Sequence, residues 1–227
     1  MFDNIKILTF GKGNFIQPQQ KLKTHLENIG VLNQKHLTNY DLPNEFLTTY
    51  DEILQLKKGY GYCLWKPYII LKELESLKQD EILLYIDSTD LPEQGFFDDV
   101  IANFKNRDYF LVNRGYNHGQ WTKRDTFVLM DCDDVSYYDS TQLEAGIIGL
   151  KPTEFNIKLI KEWFEFSTNR NILTESPNIC GLPNINNFIE HRYDQSILTN
   201  LSIKYDLYSH RLNDDKIKYN FNQPIIY

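Results

Sequence analysis

Long apolar runs are missing from this 227-residue chain. No stretch approaches the ~18 consecutive apolar residues of a membrane-spanning helix, so no transmembrane segment is expected. Cysteine is scarce: Cys63, Cys132 and Cys180 are too few for a disulfide framework and fit no zinc-site spacing, which points to a reducing setting. Positive charge is short as well. Against 31 Asp and Glu stand 24 Lys and Arg, and the formal charge of −7 argues against a nucleic-acid partner. The opening residues pass straight into strand-like sequence without a basic-then-apolar leader, so the expectation is a cytoplasmic protein, at most peripheral at a membrane. Also absent are a complete P-loop, a complete dinucleotide fingerprint, and a cysteine–histidine pair that spacing alone would make nucleophile and base. No internal repeat or linker is evident, and the length suits a single domain spanning 1–227.

What is present is a globular composition, 41% hydrophobic and 24% charged, with 15 Tyr and 14 Phe. Most of those rings must be core, and some can serve as platforms for a flat or sugar-like ligand. Lys6–Phe10 reads as a first strand that ends in Gly11-Lys-Gly13. Leu22, Leu26 and Ile29 mark an amphipathic helix closed by Gly30. Strand and loop follow to Asn44, then a helix over Glu45–Leu56. Gly59-Tyr-Gly-Tyr-Cys-Leu-Trp-Lys-Pro67 leads into a helix with Pro67 in its first turn and Ile70, Leu74 and Leu77 on one face. Ile82–Ile86 is short and nearly all apolar, as a strand covered on both faces would be. Phe97, Val100, Ile101 and Phe104 space a further helix; Tyr109–Val112 is a strand, and Asn113–Lys123 reads as a functional loop. Asp125–Met130 resumes apolar character as a weak strand, and Glu144–Leu150 is a stronger one. A helix through Ile157, Ile160, Trp163 and Phe164 follows, then an irregular loop over Asn169–Phe188 and a short helix containing Ile197, Leu198 and Leu201. This alternation predicts a three-layer α/β/α fold with a mostly parallel central sheet.

Such sheets bind ligands at the carboxyl ends of their strands, and Asp87 and Asp90 stand at one. Two carboxylates with substrate phosphates are enough for Mg²⁺ or Mn²⁺, whereas Ser88, Thr89 or Asp90 could instead cap the next helix. Lys66 lies at a helix start, either near phosphate or on the surface. Lys123-Arg-Asp125 reads as phosphate contacts or as a surface charge pair, and Asp131, Asp133 and Asp134 as a solvated turn. His191, Arg192, Asp194 and Gln195 crowd four chemistries into five residues, although Asp194 could simply cap the last helix.

Taken together, Gly59–Pro67, Tyr85-Ile-Asp87, Trp121-Thr-Lys-Arg-Asp125, Gln142-Leu-Glu-Ala-Gly-Ile-Ile148 and His191-Arg-Tyr-Asp-Gln-Ser196 resemble a family of GT-A-type glycosyltransferases of bacterial polysaccharide clusters and large DNA viruses. The resemblance runs in order over roughly residues 5–205. It implies a Rossmann-like domain that takes a nucleotide-diphosphate sugar, a UDP-sugar above others, and transfers the sugar to a glycan or glycoconjugate acceptor. On that reading Thr9, Phe10, Gly11, Tyr60, Lys66, Asp87, Ser88, Lys123 and His191 bind the donor. Asp87 and Asp90 hold Mn²⁺ or Mg²⁺, and Glu144, Asp194 and Gln195 carry the chemistry. The Asp-Gln pair is similar to one near the reacting sugar in glycogenin-like enzymes, which leans toward retention. Thr89 stands where the usual Asp-x-Asp pattern has its second acid, Asp90 comes one later, and His210 is a further candidate ligand. Two rivals are a non-catalytic glycan-binding or assembly module and a nucleotide-sugar hydrolase.

Overall fold

The structure, a computed structural model, describes residues 2, 4–213 and 215–220. Six strands form the central sheet: β1 (Ile5–Gly11), β2 (Gln34–Thr38), β3 (Ile82–Ile86), β5 (Tyr109–Asn117), β6 (Thr141–Leu150) and β7 (His210–Arg211), in the order β2-β1-β3-β6-β5-β7. Three of the five pairings are parallel; β6 alone runs against its two neighbours, β3 and β5. A separate two-stranded ribbon joins β4 (Asp90–Pro92) to β8 (Ile217–Tyr219).

Side chains alternate across the pleat. Leu83 and Tyr85 of β3 point into one core with Leu8, Ala145 and Ile148; Ile82, Leu84 and Ile86 point into the other with Ile7 and Ile147. Over the first face lie the helices Trp65–Leu74, Glu154–Ser167 and Tyr193–Lys204, through Ile70, Leu159, Trp163 and Ile197. Helices Ile16–Asn28 and Gln94–Phe104 cover the second, through Leu22, Leu26, Phe97 and Val100. The three-layer α/β/α arrangement expected from the sequence is the one observed. Every residue of β3 is buried, which is why its run is apolar apart from the Tyr85 hydroxyl.

Several local expectations are corrected. The expected loop from Asn113 is strand as far as Asn117, because β6 supplies partners through a pairing whose register slips at Asn113. Asp125–Met130 contributes to a short helix, Arg124–Leu129, and not to a strand. The expected helix over 45–56 is two, Asn44–Thr49 and Asp51–Leu54, interrupted at Tyr50. Asp90 caps nothing: it opens β4, and the following helix has Glu93 at its N-cap without a side-chain bond. Asp194 likewise lies inside the first turn of its helix, whose N-cap is Arg192.

Candidate active site

Because β6 is antiparallel to β3, the middle of β6 lies beside the carboxyl end of β3. Asp87 N–H donates to Gly146 O at 2.8 Å, and Asp90 N–H closes a tight turn onto Asp87 O at 3.0 Å. Gly146 is needed there. A Cβ on it would fall 3.1 Å from Asp87 Oδ2 and 3.2 Å from Asp90 Oδ2, so both carboxylates converge on the space that a side chain would fill. Burial, with Asp87 and Glu144 nearby, pushes the Asp90 carboxyl well above its ordinary value. Two converging carboxylates suit a hard divalent cation that completes its shell with phosphate oxygens and water. His210 does not join them: its Nε2 contacts Asn103 Oδ1 at 2.8 Å and its ring stacks on Phe110. Among the described residues no group of three His, Cys, Asp or Glu could hold a metal by itself.

Lys66 is buried beside this turn, with Nζ 3.2 Å from Asp87 Oδ1, 3.5 Å from Asp194 Oδ2 and 3.1 Å from Ala145 O, to which it donates. Burial alone would lower its pKa; Asp194 and Asp87 outweigh that and hold the ammonium well above its usual value. Tyr85 donates its hydroxyl to the same Asp87 Oδ1 at 2.6 Å. Burial raises Asp194 to about 6, against the pull of Lys66, whose ammonium faces its Oδ2. Glu144 is also raised by burial, opposed by Arg114, whose Nε donates to it at 3.0 Å. Gln195 Oε1 accepts from Ala145 N–H at 3.1 Å, which fixes the direction of its amide.

The approach to the site is shaped by an uncommon backbone. Gly59, Tyr60, Gly61, Tyr62 and Cys63 all have positive φ, between 50° and 73°, and form one left-handed turn. Hydrogen bonds from Tyr62 N–H to Lys58 O (2.8 Å) and Cys63 N–H to Gly59 O (3.1 Å) close it. L-residues disfavour this conformation by about 1–2 kcal/mol each, and such strain concentrates at functional sites. Two cavities flank the turn. The first, about 440 Å³, is walled by Phe10, Lys12, Tyr60, Trp65 and Ser88, with Phe10 stacked on Trp65 at 3.9 Å. The second, about 450 Å³, is lined by Lys66, Trp121, Glu144, Tyr193, Asp194 and Gln195, among others. Asp87 and Cys63 line both. A wider open depression of about 980 Å³ beside the Glu154–Ser167 helix mixes lysines with glutamates, and its walls include none of these acids.

Of the residues expected at a site, Phe10, Tyr60, Lys66, Asp87, Ser88, Glu144, Asp194 and Gln195 line one or both cavities, with Asp90 directly behind. Four stand elsewhere. Thr9 is buried inside β1. Gly11 is packed so closely on Gln19 and the Phe15 carbonyl that a Cβ would sit 2.9 Å and 3.0 Å from them. Lys123 donates through Nζ to Ser176 O at 2.6 Å, and His191 Nε2 meets Ile172 O at 2.9 Å. Burial first, then Lys123, holds His191 down at about 3, so it is a neutral ring tying the 170–192 segment to the Arg124–Leu129 helix. Arg114, Tyr193 and Cys63 also line the second cavity, and the sequence reading gave none of them a role of its own. All three carried a signal, since each lies in a stretch already marked: the loop from Asn113, the His191–Ser196 motif and the Gly59–Pro67 motif.

The sequence matches no protein-family description and no curated protein. Among solved structures the chain is similar to mouse xyloside xylosyltransferase 1 in its apo form, with a TM-score of 0.50 at 10% identity, over 92% of this chain and 85% of that one. A glycosyltransferase involved in glycosylation of the major capsid of PBCV-1 also matches, with a TM-score of 0.43 at 14% identity, over 76% of this chain and 68% of that one. At such identities what is shared is architecture, and the first of these carries it: the fold is similar to that of a solved glycosyltransferase.

Proposed function

We propose that the protein is a glycosyltransferase that moves a sugar from a nucleoside-diphosphate donor, a UDP-sugar above others, to a hydroxyl of a glycan acceptor, assisted by Mn²⁺ or Mg²⁺. The observation that carries this reading is the pair of cavities meeting at Asp87, one walled by rings and the other by acids, a lysine and amides. Phe10, Tyr60 and Trp65 offer ring faces to a base and ribose. Asp87 and Asp90 would hold the cation, which supplies Lewis-acid stabilisation of the departing diphosphate. Gln195, its oxygen committed to Ala145 N–H, keeps its amide NH₂ as the end able to donate to a sugar hydroxyl. Asp194, raised to about 6 and facing Lys66 at Oδ2, is matched to accept a proton from an acceptor hydroxyl near neutral pH.

Calorimetry of UDP with and without Mn²⁺, on wild type and Asp87→Asn, tests the reading. The expected result is Mn²⁺-dependent binding to wild type that the variant loses while it stays folded by circular dichroism, because a neutral amide replaces a hard anionic ligand. Equal UDP affinity in both proteins would overturn it. Incubating the donor with and without acceptor separates transfer from hydrolysis: a hydrolase releases sugar at the same rate in both.

A further inference from the structure

The acidic turn is fastened from far along the chain. Thr89 O accepts the backbone N–H of Asn220 at 2.9 Å, and Ser88 O accepts Asn220 Nδ2 at 3.2 Å. The same Nδ2 donates to Pro18 O at 3.2 Å, in the first turn of the helix that follows the cavity-lining residues Lys12, Gly13 and Phe15. Asn220 directly follows β8, where Tyr219 lies opposite Asp90, and Tyr219 also lines the second cavity. Arg114, the partner of Glu144, places its guanidinium 5.4 Å from the centre of the Tyr219 ring. The Asn220 Oδ1 is buried and has no hydrogen-bond partner among the described residues, so the two donated bonds set the orientation of the amide.

We propose that Asn220 is a positioning residue for the cation–diphosphate subsite. The Tyr219–Asn220 strap holds the 87–90 turn in the conformation that aims Asp87 and Asp90 at one point. The near side of the turn is fixed by one internal hydrogen bond, the Gly146 contact, and Tyr85 and Lys66 on the Asp87 carboxylate. Its outward carbonyls of residues 88 and 89 are satisfied by Asn220. Only a side chain with two N–H donors at that distance can reach Ser88 O and Pro18 O together. The proposal rests on reading the two acids as a cation site, and its test is built so that the two can fail separately.

The variants are Asn220→Ala, which removes the side-chain donor and keeps the backbone one, and Asn220→Asp, which keeps the shape but turns a carboxylate toward two carbonyls. Hydrogen exchange on the free proteins should quicken over residues 88–91 and stay unchanged in the Glu154–Ser167 helix. Calorimetry should show Mn²⁺-dependent UDP affinity falling about 10–100-fold, as is usual when a partner behind a metal ligand is lost, with uridine affinity unchanged. Unchanged exchange over 88–91, exchange that rises throughout the protein, or equal losses for UDP and uridine would each overturn it. If wild type shows no Mn²⁺-dependent UDP binding, the functional reading fails, and the exchange data alone still decide whether the strap holds the turn.

Discussion

Lys66 lies between two carboxylates, and this changes what its removal should do. A surface lysine, or one that waits for a phosphate, could be replaced at little cost to stability. A buried ammonium between Asp87 and Asp194 cannot, because both acids would be left facing each other without a counter-charge. Lys66→Met, which keeps most of the volume, should therefore lose about 3–5 kcal/mol in urea unfolding. A loss below about 1 kcal/mol, the range of a surface pair, would contradict this assignment. Asp194 gives a pH signature. Its folded value of about 6 lies above the ~3.9 of an unfolded Asp, so its contribution is stabilising at low pH and is lost as pH rises through about 6. Acidifying from pH 7 to pH 5 should raise the melting temperature of wild type relative to Asp194→Asn; parallel profiles would remove the shift. The residue types at both positions were legible in the sequence. Their geometry was not, because Lys66 meets Ala145 from 79 positions away and that contact depends on β6 running against β3.

At the level of elements, the left-handed turn at 59–63 was legible as a glycine-rich, aromatic stretch worth singling out, but its handedness was not. Two alternating glycines do not announce that Tyr60, Tyr62 and Cys63 will share their positive φ. The turn holds because its inner face has no spare room. A Cβ on Gly61 would lie 2.8 Å from Leu54 Cα and 2.9 Å from Ile53 O, at a φ of +73°. Gly61→Ala should thus cost at least about 2 kcal/mol, from strain and backbone overlap together. Gly13→Ala is the control, since it has φ +57° but nothing within 4 Å of its new Cβ. It should cost only the conformational ~1–2 kcal/mol of a left-handed L-residue. Equilibrium unfolding of both variants ranks them, and the reverse order would mean that packing does not hold the turn. Elements with a strong period, such as β3 and the helix through Leu22 and Leu26, were readable because burial on fixed faces writes that period into the sequence. The extension of β5 to Asn117 was hidden, since Asn113-Arg-Gly-Tyr-Asn117 looks like a turn and becomes strand only through β6.

Over the whole molecule, the fold class was legible and the strand order was not, because hydrophobic period reports which faces are covered and says nothing about which strands are neighbours. The sheet separates two cores that share its strands, so they should unfold together. Leu83→Ala and Leu84→Ala open cavities on opposite faces of β3 and should each cost about 2–5 kcal/mol. Fluorescence and far-UV circular dichroism should then shift together in a single transition; two separate transitions would show that the faces are independent units. The site inherits this shared frame, and the shared Cys63 turns it into a measuring device. Its thiol is held well above its ordinary pKa by burial and by Asp194, and so alkylates slowly. Cys132 is buried, and Cys180 can be replaced by serine. The labelling rate of one sulfur atom then becomes a clock that slows when either cavity fills, and the order in which donor and acceptor arrive can be timed without watching a single turnover.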